Sequence, residues 1–160
     1  MKAVVPTNGE KKGAPYNPLN ISSEGVGEDG FILSTYTCSG ANISPPLDIG
    51  GIPEATKSLA IIVDDPDAPG GTWVHWVAWN IAPLSHIKEA RQMEKEGIND
   101  LHKRRYDGPC PPYGTHHYHF KVYALDSLLS LTGKTSKKDL EQAMQGHILA
   151  FGELIALYKK

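Results

Sequence analysis

The sequence has little net charge. Its 160 residues carry 16 Lys+Arg against 18 Asp+Glu, a formal balance of −2. No broad basic field is available for nucleic acid, and no polybasic patch for a membrane surface. Long apolar runs are also missing. The longest are of strand length, and the opening Met1-Lys2-Ala3-Val4-Val5 breaks at Pro6, so neither a spanning helix nor a secretory segment is expected and a cytoplasmic protein is the default. Only two cysteines occur, Cys38 and Cys110, too few for a disulfide framework, and their plain reading is two buried or idle thiols. There is no internal repeat or low-complexity tract, which removes solenoid, coiled-coil, collagen-like and disordered readings. A chain of this length buries roughly 70% of its unfolded surface as one domain without a metal or disulfide staple.

What is present is concentrated in places. Twelve Pro, 16 Gly and 7 His are many for this length. The first sixteen residues, ending Gly13-Ala14-Pro15-Tyr16, are polar and Gly/Pro-marked and read as an arm; residues 17–160 form the single domain. Lys57 to Val63 is a β-branched run that ends in the rigid loop Asp64-Asp65-Pro66-Asp67-Ala68-Pro69-Gly70-Gly71. Thr72 to Ile81 follows as a second strand holding all three Trp. With period two, Trp73, His75, Val77 and Trp79 share one face, and Val74, Trp76, Ala78 and Asn80 the other.

Ser85 to Glu96 is Glu/Lys-rich and reads as a short surface helix or irregular loop, and Lys103-Arg104-Arg105 as a solvated face. Gly108-Pro109-Cys110-Pro111-Pro112-Tyr113-Gly114 is a loop, because proline lacks the amide a ladder needs. Thr115 to Leu125 is a third strand, with His116, Tyr118, Phe120 and Val122 on one face and His117, His119, Lys121 and Tyr123 on the other. Ser136 caps a helix running to Met144. His147 to Tyr158 fits helix and strand equally by periodicity, and Leu19 to Ser22 and Phe31 to Tyr36 are weaker strands. The fold class is mainly β with a few flanking helices.

Two proline-rigid loops each adjoin a strand that carries a histidine, and rigid loops at strand ends are where sites are built. Asp65 and Asp67 in the first loop, His75 beyond it, and His116 with Tyr118 on the third strand are the candidates. An Asp facing one or two His sets the tautomer, and an imidazolium beside a tyrosine hydroxyl and loop amides suits a phosphate or carboxylate. The plainer alternative has both Asp making Asx-turns and both His satisfied in the core. A metal site is disfavoured because His116 and His119 point to opposite faces and no HxxxH or HExxH helix exists. A hydrolase lacks an activated nucleophile: Ser39-Gly40 forms no elbow, and Cys110 sits between prolines with no helix N-terminus. No cofactor is expected.

Asp65-Pro66-Asp67-Ala68-Pro69, Trp73-Val74-His75-Trp76 and Gly108-Pro109-Cys110-Pro111-Pro112, with Gly114-Thr115-His116-His117-Tyr118, resemble the signatures of the phosphatidylethanolamine-binding protein family. The nearest likeness is to its bacterial and archaeal Raf-kinase-inhibitor-like branch. Tyr36 to Leu47, Glu96 to Asp100 and Gly146 to Ala150 resemble it too. The resemblance implies a β-sandwich of a large and a small sheet and an anion pocket at one end. It carries ligand-binding roles onto Asp65, Trp73, His75, His116 and Tyr118, with Gly108 and Pro109 in the rim loop, and it favours a strand for the last segment. It implies a non-enzymatic protein that binds a phosphate ester, phospholipid head group or carboxylate and modulates another protein. Inhibition of a serine protease or kinase is the alternative, with residues 85–107 as the candidate surface, and a homodimer is the expected assembly. Both cysteines border the implied pocket loops, so a redox-sensitive pair stands beside the idle-thiol reading. Two departures are visible: His117 stands where Arg is common, and Ile49 where an aromatic is common.

Overall fold

The computed structural model describes residues 16–160; the expected arm, up to residue 15, lies outside them. Among the described residues nine strands form two sheets: β1 Asn17–Pro18, β2 Asn20–Ser22, β3 Leu47–Gly50, β4 Ser58–Asp65, β5 Trp73–Ile81, β6 His86–Ile87, β7 Lys95–Glu96, β8 Thr115–Leu125 and β9 Ile148–Lys159. The large sheet runs β1-β9-β8-β4-β5-β7 and the small one β2-β3-β6. Every pairing is antiparallel except β1 with β9. The mixed β-sandwich matches the expected class.

Two apolar clusters make three layers. Leu47, Ile49 and Ile87 of the small sheet meet Leu59, Ile61, Val63, Trp76, Phe120 and Val122 of the large one. On the far face, Ala60, Ile62, Val77, Trp79, Tyr123 and Leu125 are covered by Leu140 and Met144 of α1, Lys137–Met144. Buried on both faces, β4 has no exposed residue, as its unbroken apolar run demands. The helix begins as expected: Ser136 Oγ accepts from the Asp139 amide at 3.1 Å, and Asp139 Oδ2 from the Ser136 amide at 3.2 Å, a capping box. Lys137 at 2.7 Å and Lys121 at 3.1 Å both pair with the fully buried Asp64, which ties α1 to the centre of the sheet. Burial pushes the Lys121 ammonium below its usual range, and the Asp64 charge works against that.

Simple alternation fails in β5. The ladder pairs Val63 with Trp76 but Asp64 with Val74, so a bulge falls at His75. The bulge lets His75 and Trp76 face the same way: the His75 ring meets Tyr118 and the Trp76 ring meets Tyr106, both in the inter-sheet core. Trp73 and His75 thus share a face as expected, but Val77 and Trp79 lie on the other. A second irregularity between Leu59 and Ile61 coincides with Asn80 at φ 54°.

Ser85 to Glu96 forms no helix. His86–Ile87 pairs with β3 and Lys95–Glu96 with β5, so the segment bridges the two sheets and tertiary pairing overrides its helix formers. Phe31 to Tyr36 is not a strand either; it makes isolated bridges at Phe31 and Ile32 and then a 3-10 turn over Ser34–Tyr36. The ambiguous last segment is strand β9, paired with β8 along almost its whole length. Tyr16 packs on the helix-side cluster and so belongs with the domain. Among the described residues no helix is long and apolar enough to cross a membrane.

Candidate functional site

Antiparallel pairing brings the C-terminal end of β4 beside the N-terminal ends of β5 and β8. Asp65 lies opposite Trp73, and His116 and Tyr118 extend β8 past Asp64. The loops leaving these ends enclose a cavity of about 490 Å³. Asp65, Trp73, His75, Gly108, His116 and Tyr118, all expected at the site, line it together. Pro109 does not; its carbonyl accepts from the Cys38 amide at 3.1 Å and so holds the rim from behind. Asp67 is also off the lining.

The two imidazoles are fixed by different acceptors. His116 Nδ1 donates to Asp65 Oδ2 at 2.7 Å, with both side chains buried. His75 Nδ1 donates to the Asp107 carbonyl at 2.6 Å, so the carboxylate of Asp65 orients one histidine and not both. Burial holds the His75 imidazole below its ordinary range, and the Asp107 carbonyl bond with the charges of Asp65, Asp64 and Asp107 pulls it partly back. Tyr118 stands between them, its ring centroid 5.3 Å from His75 and 6.3 Å from His116. Its hydroxyl makes no hydrogen bond within the described protein. Burial and the charges of Asp65 and Asp67 push the phenol well above its usual range, so it stays a neutral donor.

Asx-turn geometry and the site coexist. Asp65 Oδ1 accepts from the Asp67 amide at 2.8 Å, while Asp65 Oδ2 serves His116. Asp67 Oδ2 accepts from His117 at its amide (2.8 Å) and its Nδ1 (2.7 Å). Burial works to raise the Asp67 carboxyl, but these two bonds outweigh it and hold the group below its usual range. His117, the departure from Arg, therefore fastens the Asp65 loop to β8 rather than reaching the cavity.

Two supports escaped the sequence reading, and a third had been only one of two open alternatives. Asn99 Nδ2 donates to Asp107 Oδ2 (2.9 Å) and the Arg105 carbonyl (2.9 Å), and Asn99 Oδ1 accepts from the amides of Leu101 (2.9 Å) and Lys103 (3.0 Å). This buried hub fixes Asp107, which in turn fixes His75. Asn42 Oδ1 accepts from the Gly108 amide at 2.8 Å, and a side chain at Gly108 would strike the Tyr36 carbonyl. The third is a bond: Cys38 and Cys110 form a disulfide, with Cα atoms 5.4 Å apart, and both line the cavity. The idle-thiol expectation is overturned because the fold brings two loops 72 residues apart in sequence within bridging distance. Asn99 lay inside the Glu96 to Asp100 motif, but nothing in its spacing marked it as a hub.

The cavity mouth is apolar. Trp73 and Leu101 are 38% and 49% exposed there, beside Ala68, Pro69, Pro111 and Pro112, so a polar floor lies under an apolar rim. Among the described residues no group of three or more His, Cys, Asp or Glu is placed to hold a metal ion.

A β-sandwich that gathers two oriented histidines, an aspartate and a tyrosine under such a rim has the architecture of a ligand-binding protein. The phosphatidylethanolamine-binding protein family model matches residues 22–159, and the chain belongs to that family. A UPF0098 protein of Pyrococcus horikoshii is 50% identical over 153 residues, covering 89% of this chain and 77% of that one. A UPF0098 protein of Methanothermobacter thermautotrophicus is 45% identical over 150 residues, covering 89% and 99%. Among solved structures, a phosphatidylethanolamine-binding protein homolog from Chlamydia trachomatis superposes with a TM-score of 0.84 at 38% identity, covering 90% and 99%. YbcL of E. coli, described as a member of the mammalian family, gives 0.80 at 28% identity, covering 89% and 98%.

Proposed function

We propose that this protein is a non-enzymatic binding protein whose cavity takes a small anion, a phosphate ester or a carboxylate, between His75 and His116. One observation carries the reading: both histidines spend Nδ1 on an internal acceptor, and both line the same cavity. Each therefore keeps Nε2 for a ligand. A neutral imidazole with Nδ1–H offers only a lone pair at Nε2, so an anion is gripped best when a proton is taken up and Nε2–H donates to it. The Tyr118 hydroxyl adds a neutral donor. Among the described residues the lining holds no serine, threonine or free thiol, its two cysteines being bonded to each other, and the reading assigns its histidines and tyrosine to holding an anion.

The test is an imidazole-nitrogen NMR titration with inorganic phosphate, run on the intact protein and on His116→Ala. Phosphate is expected to shift the His75 and His116 signals, and His116→Ala to weaken binding at least tenfold. If neither histidine moves at millimolar phosphate, the anion reading is wrong.

A further inference from the structure

The rim of the cavity is fastened unevenly. The 106–109 stretch that leads into the loop is tied by hydrogen bonds: the Tyr106 hydroxyl to the Tyr36 carbonyl at 2.7 Å, the Gly108 amide to Asn42, and the Pro109 carbonyl to the Cys38 amide. From Pro111 to Gly114 no hydrogen bond to another segment is made among the described residues; two of the four are proline, and Tyr113 is 71% exposed. The Cys38–Cys110 bond is the last tie before this stretch. Cys38, Cys110, Pro111 and Pro112 all line the cavity, so the bond holds part of its wall.

The same bond is open to attack. Both half-cystines are exposed, and exposed disulfides are the labile ones. The Lys160 ammonium lies 3.7 Å from Cys110 Sγ, where it stabilises a thiolate leaving from Cys110.

We propose that the Cys38–Cys110 disulfide is a redox clasp on the cavity: closed, it holds the rim in its anion-binding form, and opened by a dithiol reductant it lowers the affinity for the anion. This rests on the anion-binding reading above. In the opening step one thiolate of the dithiol attacks Cys38 Sγ, forming a mixed disulfide, while Cys110 leaves as a thiolate beside Lys160. The second thiol of the reductant then attacks the mixed disulfide and releases Cys38. The protein gains two electrons and, once both sulfurs are protonated, the two protons the reductant gives up; the reductant leaves as its own disulfide. Disulfides persist in oxidising compartments and are reduced where thiol pools dominate, so the cavity would report the compartment or its redox state.

The experiment measures phosphate affinity by calorimetry at 25 °C on the oxidised protein, the dithiothreitol-reduced protein and Cys38→Ser/Cys110→Ser, with near-UV circular dichroism confirming the fold of each. The oxidised form is expected to bind at least fivefold more tightly than the other two, and the double variant to ignore dithiothreitol. Lys160→Ala is expected to slow reduction several-fold without altering phosphate binding by the oxidised form. Equal affinities in all three forms overturn the clasp alone. Absence of phosphate binding in the oxidised form overturns the anion reading and the clasp with it. Loss of the near-UV signal on reduction and in the double variant also overturns it, because the bond is then a staple for the whole fold.

Discussion

His116 and Asp65 form a buried pair, Nδ1 to Oδ2 at 2.7 Å, just beyond the Asp64–His119 end of the β4–β8 ladder. The same carboxylate accepts from the Asp67 amide. One side chain thus sets both the tautomer of a pocket histidine and the start of the loop that walls the pocket.

Asp65→Ala strips two donors of their acceptor at once. Leaving the buried His116 Nδ1–H and the half-buried Asp67 amide without the carboxylate that accepts from both is expected to lower unfolding stability by about 3 kcal/mol. The His116 imidazole nitrogens should at the same time move toward a mixture of tautomers. Urea unfolding and nitrogen NMR read the two effects separately, and a variant with unchanged His116 shifts would show that Asp65 does not orient the ring.

The depressed His75 gives two pH dependences of opposite sense. Its folded value lies below the ordinary 6.5, so the unfolded chain takes up the proton first as pH falls. The stability associated with neutral His75 is complete above about pH 6.5 and is lost as pH drops through the folded value. His75→Gln should flatten that part of the urea midpoint profile between pH 8 and 5. Anion binding favours the protonated ring, so acetate, whose own charge is constant over pH 6–8, should bind more tightly toward the acid end of that range. An acetate affinity that does not change there would mean that no histidine gains a proton on binding.

Much of this was legible in the sequence because strands obey period two. The parity of β8 placed His116 and Tyr118 together and sent His117 and Lys121 to the other face. In β5 the same rule carried Trp73 and His75 correctly and Val77 and Trp79 wrongly, because a one-residue bulge at His75 resets the parity. Bulges have no reliable signature in a single sequence. The Asp107 carbonyl under His75 depends on loops meeting across the fold, which leaves no periodicity to read, and only the resemblance kept the Cys38–Cys110 pairing open; the Asn99 hub lies within residues 99–107, an irregular loop that has no period either. The Ser136 cap was visible because capping is local.

The difference between a support remote from the cavity and one beneath it is itself measurable. Ser136→Ala removes one capping bond far from the cavity and should cost about 1 kcal/mol with unchanged phosphate affinity. Asn99→Ala leaves the Leu101 and Lys103 amides without their acceptor and weakens the hold on Asp107, so about 2–4 kcal/mol is expected, together with weaker phosphate binding through a loosened His75. If the two variants changed phosphate affinity alike, the Asn99 to Asp107 to His75 relay would have no bearing on the pocket.

Tyr118→Phe isolates the ligand contact from the fold. The ring is fully packed between His75 and His116, and phenylalanine keeps that packing; the hydroxyl has no partner in the described protein, so its loss should change stability by less than about 0.5 kcal/mol. An anion held by that hydroxyl loses one hydrogen bond to a charged acceptor, about 1.5 kcal/mol, or roughly tenfold in Kd. The pair of measurements is therefore expected to split: a thermal melt that superposes on the unsubstituted protein, and a phosphate titration shifted by an order of magnitude. A shifted melt with an unshifted titration would make Tyr118 a core residue that merely borders the cavity.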